Sequence, residues 1–204
     1  MIKPLLVGLA LLAAAPASAI AQDFPQVANT SFVAANGEKT MRLSIVVNVP
    51  ADKVWWALST AEGWKSWTVG TAYVDFREGG QIETNYKPGQ PQGGPDNIRN
   101  QIIAVDDGRL LVFRNVQAPR TFKHPEEFSR IITSIRLEPT KTPGGLEATS
   151  VTISGAGYAP NPAYDELYGF FSKGNAFSLV ELKDSLEKGS APAESPTDRL
   201  GVTP

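Results

Sequence analysis

Residues 49–58, which read Val-Pro-Ala-Asp-Lys-Val-Trp-Trp-Ala-Leu, mark the point where a strand-like pattern changes into a helical one. In the preceding residues 41–49, apolar side chains occupy every second position, which is the period of a strand with one buried face. Pro50 ends that pattern, and Asp52 lies where a negative charge favours the N-terminus of a helix. Three apolar residues then recur at the i, i+3 and i+4 spacing of one helix face: Val54, Ala57 and Leu58. The stretch therefore predicts a long half-buried strand that leads directly into a short helix.

A second short helix and a turn follow this junction. Thr60 can cap the new helix, because its side-chain oxygen can accept a hydrogen bond from a free N–H of the first turn. Further on, the run Asp75-Phe76-Arg77-Glu78-Gly79-Gly80 ends a strand at a Gly-Gly turn. Asp75 and Arg77 share one strand face, so we expect a solvent-facing ion pair there. The alternative is that these charges stand at a pocket mouth and orient the polar head of a ligand.

The clearest helix of the sequence comes last. Asn161 can cap it, Pro162 suits its first position, and Gly189 is a natural stop. Gly174-Asn175 interrupts its apolar stripe, and the glycine costs roughly 1 kcal/mol of helix stability. Asn175 is interpreted either as a local cap at a helix break or as a hydrogen-bonding group in a pocket. The stripe itself is formed by Tyr164, Leu167, Tyr168, Phe171, Leu179, Leu182 and Leu186.

Between the short helices and the last helix the sequence contains six strand candidates separated by turn signals. They are residues 72–76, 81–86, 98–105, 110–116, 128–137 and 148–158. Asn36-Gly37 predicts a further hairpin turn before residue 41, because this pair accepts positive φ. Consecutive hairpins favour an antiparallel sheet, and a long amphipathic helix must bury its stripe against that sheet. The pattern predicts an α+β fold: a curved antiparallel sheet of six to eight strands around a long C-terminal helix, with two short helices after the first long strand.

The two ends of the chain differ in composition from the predicted fold. Residues 1–21 have the pattern of a signal peptide: Lys3, an apolar run, and small residues that allow cleavage after Ala19 or Ala21. We therefore expect export, to the periplasm or the exterior. Residues 22–40 form an N-terminal extension with a hairpin strand, and residues 41–188 form the domain. Residues 189–204 are rich in Ser, Pro, Ala and Thr and are predicted to be a disordered tail.

Composition excludes several classes of function. The chain has 204 residues, a net charge of −2, no cysteine and one histidine, so a thiol nucleophile and a multi-histidine metal site are both excluded. No basic stripe is present, and nucleic-acid binding is therefore not expected. The apolar run near the N-terminus has roughly 15 residues, short of the ~20 that span a bilayer, so we expect no stable membrane anchor. We expect no cofactor and no metal, and the oligomeric state stays open.

The order of these motifs resembles the START-like (SRPBCC) superfamily, in its branch of activator-of-Hsp90-ATPase homologues (AHSA1-like). The likeness is carried by residues 49–55, the Trp64 and Trp67 pair, residues 75–80 and the last helix. Gly155-Ala156-Gly157-Tyr158 and residues 170–175 resemble small exported bacterial members. The resemblance implies a helix-grip fold with an apolar pocket between sheet and helix. The superfamily includes lipid and hormone carriers, polyketide cyclases and dehydratases, and co-chaperone domains. An exported protein would not meet cytosolic Hsp90, so Hsp90 is not an expected partner.

Aromatic side chains are the main candidates for the lining of such a pocket, although core packing is the alternative for each of them. The predicted ligand-binding residues are Trp56, Trp67, Tyr86, Phe113, Tyr158, Tyr168, Phe171 and Asn175. The leading functional hypothesis is the binding of a small hydrophobic or amphipathic molecule, with Tyr158, Asn175 and Arg77 as orienting polar groups. One alternative is a cyclase-like or dehydratase-like enzyme that uses His124 or Tyr158. The other is a protein-interaction module without a ligand.

Overall fold

The computed structural model describes residues 23–188. The predicted signal peptide at residues 1–21 and the predicted tail at residues 189–204 lie outside this range. The strands are β1 (Ala28–Asn29), β2 (Phe32–Val33), β3 (Lys39–Val47), β4 (Thr71–Val74), β5 (Gln81–Asn85), β6 (Ile98–Asp106), β7 (Leu110–Gln117), β8 (Ile132–Lys141) and β9 (Glu147–Tyr158). The helices are α1 (Ala51–Ser59), α2 (Ala61–Trp67), α3 (Pro125–Arg130) and α4 (Pro162–Lys188).

All nine strands belong to one antiparallel sheet. Its order is β1-β3-β9-β8-β7-β6-β5-β4, and β2 also pairs with β3. The predicted α+β class and the helix-grip arrangement are confirmed, because a long C-terminal helix packs on this open sheet. The described part has one strand more than the predicted six to eight, since the N-terminal segment pairs twice with β3 through the two-residue strands β1 and β2. The predicted hairpin turn is also present, with Gly37 at φ +83°.

Two tryptophans and one glycine hold α1 and α2 together. Thr60 caps α2 as predicted, with its Oγ1 accepting a hydrogen bond from the N–H of Gly63 at 2.9 Å. Trp64 Nε1 donates to the carbonyl of Leu58 at 2.8 Å, and Trp67 Nε1 donates to that of Ala57 at 3.2 Å. A Cβ atom on Gly63 would lie 2.3 Å from the carbonyl oxygen of Trp56. Only glycine therefore permits this close approach of the two helices.

The last helix runs without a break across Gly174-Asn175, so the interpretation of Asn175 as a cap at a helix break is wrong. The N-terminal cap is as predicted, because Asn161 Oδ1 accepts from the N–H of Tyr164 at 3.2 Å. On either side of the pair, Leu167 and Leu179 are buried against the rest of the core. The free energy gained by burying these two side chains exceeds the roughly 1 kcal/mol that a glycine costs a helix, so the helix continues.

The helix α3 was not predicted from the sequence. The sequence predicted a strand over residues 128–137, whereas the structure has a helix at Pro125–Arg130 and a strand that begins at Ile132. His124 precedes the helix in a left-handed conformation with φ 57°. The signals were Pro125 at the first helical turn and two acidic residues beside it, which favour a helix start.

The main core lies between the inner face of the sheet and the helices α1 and α4. Residues that are almost completely buried come from all of these elements: Leu43, Val47, Val54, Leu58, Val151, Ala176 and Leu182. Among residues 23–188, no helix has the length and apolar character needed to cross a membrane.

Candidate functional site

The core leaves a cavity of about 180 Å³ between the sheet and α4. Its wall comes from the inner faces of strands β5 to β9, from α4, and from the α1–α2 and α3 segments. Most of the wall is apolar: Leu58, Trp64, Trp67, Val69, Ile98, Phe113, Phe128, Ile131, Ile135, Val151, Ile153, Phe171, Leu179 and Leu182. Its volume is close to that of an engineered apolar cavity of roughly 150 Å³ that holds benzene, and below the range of roughly 300–1,000 Å³ for drug-sized ligands. The cavity therefore suits a molecule of about one ring.

The structure brings six of the eight predicted ligand-binding residues together in this wall: Trp67, Tyr86, Phe113, Tyr158, Phe171 and Asn175. Trp56 lies outside the wall and is 44% exposed, because Val54, Ala57 and Leu58 occupy the buried face of α1. Tyr168 also lies outside the wall. It stands behind Tyr158, with the two rings edge to face and their centroids 5.3 Å apart.

Tyr158 is the most enclosed polar residue of the wall, with 1% of its surface exposed. Among residues 23–188 its hydroxyl has no hydrogen-bond partner. The ring lies against Gly155, where a Cβ atom would come within 2.9 Å of the hydroxyl oxygen. Burial, and to a smaller extent Tyr168, raise the pKa of the Tyr158 phenol. The hydroxyl therefore stays protonated at neutral pH and can donate a hydrogen bond.

Asn175 is a second polar residue of the wall. Its amide Nδ2 donates to the sulfur of Met41 at 3.7 Å, and a thioether is a weak acceptor. The same Met41 side chain approaches Gly155 beside the Tyr158 hydroxyl. Ser178 follows Asn175 on α4 and also lines the cavity. The sequence analysis did not identify Ser178, although its i, i+3 spacing from Asn175 places both on one helix face.

Tyr86 is the most exposed residue of the wall. It follows β5 directly, lines the cavity and is 37% exposed. Desolvation raises the pKa of its phenol even though part of the residue contacts solvent. Tyr86 thus lies where the cavity meets solvent, and Tyr158 lies in its enclosed part.

The segment around α3 closes one side of the cavity through an aromatic cluster. Phe128 and Phe171 both line the cavity, while Phe122 and Phe170 pack behind them with ring centroids 5.8 Å apart. Outside this cluster, His124 Nε2 lies 3.1 Å from Glu166 Oε2 on α4. His124 is therefore paired with a surface carboxylate and does not line the cavity.

The charged residues around the Gly79-Gly80 turn lie outside the apolar cavity. Arg77 and Asp75 form the predicted solvent-facing ion pair, with Nη2 2.9 Å from Oδ2. They line an open groove of about 650 Å³ between α2 and the edge strand β4, together with the buried Glu83. Oε1 of Glu83 accepts hydrogen bonds from the Gly93 N–H at 2.6 Å and from Asn97 at 2.5 Å. Arg77 therefore does not stand at the mouth of the apolar cavity.

Within the described residues 23–188, no group of three or more histidine, aspartate or glutamate side chains is arranged to hold a metal ion. The lining of the cavity contains carbon surface, hydroxyls and amides, with no carboxylate or ammonium group among the described residues. Such a wall can enclose an uncharged molecule and offer it a few hydrogen bonds.

Comparison with known proteins identifies the family. The model of a family described as polyketide cyclase / dehydrase and lipid transport matches residues 38–187, and the chain belongs to that family. The START-like assignment that the motifs predicted is thereby confirmed. No curated protein matches the sequence.

Solved structures of the same fold have low sequence identity to this chain. The Aha1 dimer from Colwellia psychrerythraea is 18% identical, with a TM-score of 0.57 over 74% of this chain and 98% of that one. Protein MLL2253 from Mesorhizobium loti is also 18% identical, with a TM-score of 0.55 over 74% and 98% of the two chains. CalU16 from Micromonospora echinospora is 16% identical, with a TM-score of 0.53 over 86% and 96%. At these identities the likeness shows the fold alone.

Proposed function

We propose that this protein binds a small apolar or amphipathic molecule in the cavity between the sheet and α4. The observation that carries the proposal is the cavity of about 180 Å³, whose wall is mostly carbon and which opens at Tyr86. Protein interiors are normally packed without voids of this size, and an unfilled one forfeits contacts along its whole lining. A ligand that fills the cavity restores those contacts and removes its own apolar surface from water.

The wall favours binding over the cyclase-like and dehydratase-like alternative. Of the two residues on which that alternative depended, His124 is paired with Glu166 outside the cavity. Only Tyr158 lines the cavity. A filled interior and an exposed tryptophan patch would favour the interaction-module alternative. Of the four tryptophans only Trp56 is exposed, and the interior contains the cavity.

We further propose that binding takes place after export. The signal-peptide pattern of residues 1–21 supports this proposal. A cavity of this size would then take its ligand from the periplasm or the exterior, where small uncharged molecules arrive by diffusion. Hsp90 and its nucleotide are not expected in either place.

The experiment is a titration of the purified protein with ethylbenzene, followed by NMR, in wild type and in two variants of α4. Ser178→Leu places a larger apolar side chain in the cavity, and we expect it to abolish binding. Lys173→Leu adds the same side chain to the exposed face of the same helix, and we expect it to leave binding unchanged. Equal effects of the two variants, or no binding by wild type, would contradict the proposal.

A further inference from the structure

The cavity wall distinguishes between charged and uncharged ligands. Among the described residues that line it, the ionisable groups are the two phenols of Tyr86 and Tyr158. Burial raises the pKa of both, so both are neutral at physiological pH. A carboxylate or ammonium group that entered this cavity would lose its water and find no opposite charge, which is strongly unfavourable.

The polar side chains of the wall come from several elements: Thr68, Thr84, Tyr86, Asn100, Thr133, Tyr158, Asn175 and Ser178. The Tyr158 hydroxyl and the terminal methyl of Met41 lie 2.9 and 3.4 Å from the point where a Gly155 side chain would begin. The amide of Asn175 contacts the same Met41 side chain and donates to its sulfur at 3.7 Å. Of these polar residues Tyr158 is the most enclosed, with 1% of its surface exposed.

The Tyr158 hydroxyl has no hydrogen-bond partner among residues 23–188, although only 1% of the surface of this residue is exposed to solvent. Buried hydroxyl groups in folded proteins almost always have a partner. The ring has little freedom to find another one, because Tyr168 packs edge-on against it at 5.3 Å and Gly155 lies beneath it. The hydroxyl is therefore free to donate to an acceptor that enters the cavity.

We propose that the ligand is an uncharged molecule of about one ring that carries one hydrogen-bond acceptor, and that the Tyr158 hydroxyl donates to this acceptor in the enclosed part of the cavity. The acceptor is a carbonyl, ether or hydroxyl oxygen, and the apolar remainder of the molecule contacts the carbon surface of the wall. This inference rests on the proposed function, since it names the chemistry of a ligand in the same cavity.

The test uses three probes of similar shape: ethylbenzene, acetophenone and benzoate. Each is titrated by calorimetry at pH 7 into wild type, Tyr158→Phe and Tyr168→Phe. The Tyr158→Phe variant should weaken acetophenone binding roughly three- to tenfold, the range for one neutral hydrogen bond, and leave ethylbenzene binding within about twofold. Tyr168→Phe removes the neighbouring hydroxyl outside the cavity wall and should change neither affinity. Benzoate should bind at least about a hundredfold more weakly than acetophenone, because its charge has no partner.

The outcomes separate the two proposals. If wild type binds neither ethylbenzene nor acetophenone, both proposals fail. If ethylbenzene binds but Tyr158→Phe affects the two neutral probes equally, the acceptor inference fails and the proposed function stands. If benzoate binds as tightly as acetophenone, the inference that the ligand is uncharged is overturned. Should Tyr158→Phe not fold, the carbonyl ¹³C shift of labelled acetophenone on wild type decides: a downfield shift relative to hydrocarbon solvent supports the hydrogen bond, and no shift overturns it.

Discussion

Phe128 on α3 and Phe171 on α4 stack with their ring centroids 4.7 Å apart, and both rings line the cavity. The contact joins a short helix, which the sequence analysis missed, to the long helix that it predicted. It also makes α3 part of the cavity wall. The size of a molecule that the cavity accepts therefore depends on these two rings.

We expect Phe128→Ala to enlarge the cavity toward α3. The variant should bind 2-acetonaphthone, a two-ring probe, more tightly than wild type does. It should lose about 2 kcal/mol of unfolding free energy, less than for a fully buried phenylalanine because Phe128 is only half-buried. Calorimetric titration and urea denaturation measure the two effects.

The matched control for Phe128→Ala is Phe170→Ala. Phe170 belongs to the same aromatic cluster, with its ring centroid 5.2 Å from that of Phe171, but it is 40% exposed and lies outside the cavity wall. The Phe170→Ala variant should lose some unfolding free energy without any gain in affinity for 2-acetonaphthone. A gain of the same size in both variants would show that α3 loosens as a whole and does not act as a wall.

The parts of the fold that the sequence predicted well are those fixed by local chemistry. Thr60 and Asn161 cap their helices because side-chain oxygens at those positions bond the first free N–H groups, whatever lies farther away. The strands with alternating apolar and polar residues were also predicted, because that alternation is a local property of the sequence. The short helix α3 depends on six residues only, and so few residues give little periodicity to detect.

The cavity was less predictable because its lining depends on how each helix is rotated against the sheet. Trp56 and Tyr168 are aromatic residues beside lining residues, yet neither reaches the cavity. Asn175 was predicted with two alternatives, and the burial of α4 around it decided between them. Local propensity disfavours a helix across Gly174-Asn175, but tertiary burial outweighs that preference.

Two glycines on helices should respond in opposite directions to the same substitution. In Gly63→Ala the new methyl group would lie 2.3 Å from the carbonyl oxygen of Trp56, so α1 and α2 must separate. We expect a loss of about 3 kcal/mol of unfolding free energy, the upper end of the usual cost of overpacking.

Gly174→Ala is the control, because nothing lies within 4 Å of a Cβ atom at that position of α4. Alanine has a better helix propensity than glycine, so this variant should gain roughly 0.5–1 kcal/mol. Thermal denaturation of the two proteins gives both values. A stable Gly63→Ala protein would contradict the close approach of α1 and α2, and a destabilised Gly174→Ala protein would contradict the open surface around Gly174.

The proposed export predicts the N-terminus of the mature protein. Expressed from its full sequence in a Gram-negative host, the protein should accumulate in the periplasm and begin at Ile20 or Gln22. Intact mass and N-terminal sequencing check this result. Leu11→Arg places a charge in the apolar run and should prevent cleavage, whereas Leu11→Ile should not. An uncleaved cytoplasmic wild-type chain would remove the proposal of export.

The ion pair between Asp96 and Arg120 predicts how stability depends on acid. Arg120 donates side-chain hydrogen bonds to the Asp96 carboxylate at 2.9 and 2.7 Å and lowers its pKa from 3.8 to about 2. Because the pKa is lower in the folded state, the pair stabilises the fold fully above a pH of about 4. That contribution declines as the pH falls toward about 2, where the folded carboxylate takes up its proton.

Asp96→Asn tests this dependence. Wild type should exceed the variant in unfolding free energy by a constant amount above a pH of about 4, and the difference should close as the pH falls toward about 2. Urea denaturation across this range measures the difference. NMR titration of the Asp96 carboxyl provides an independent check, because Arg120→Gln should return its pKa toward the ordinary value. A difference that stays constant down to the lowest pH, or a wild-type carboxyl that titrates normally, would show that the pair does not form in solution.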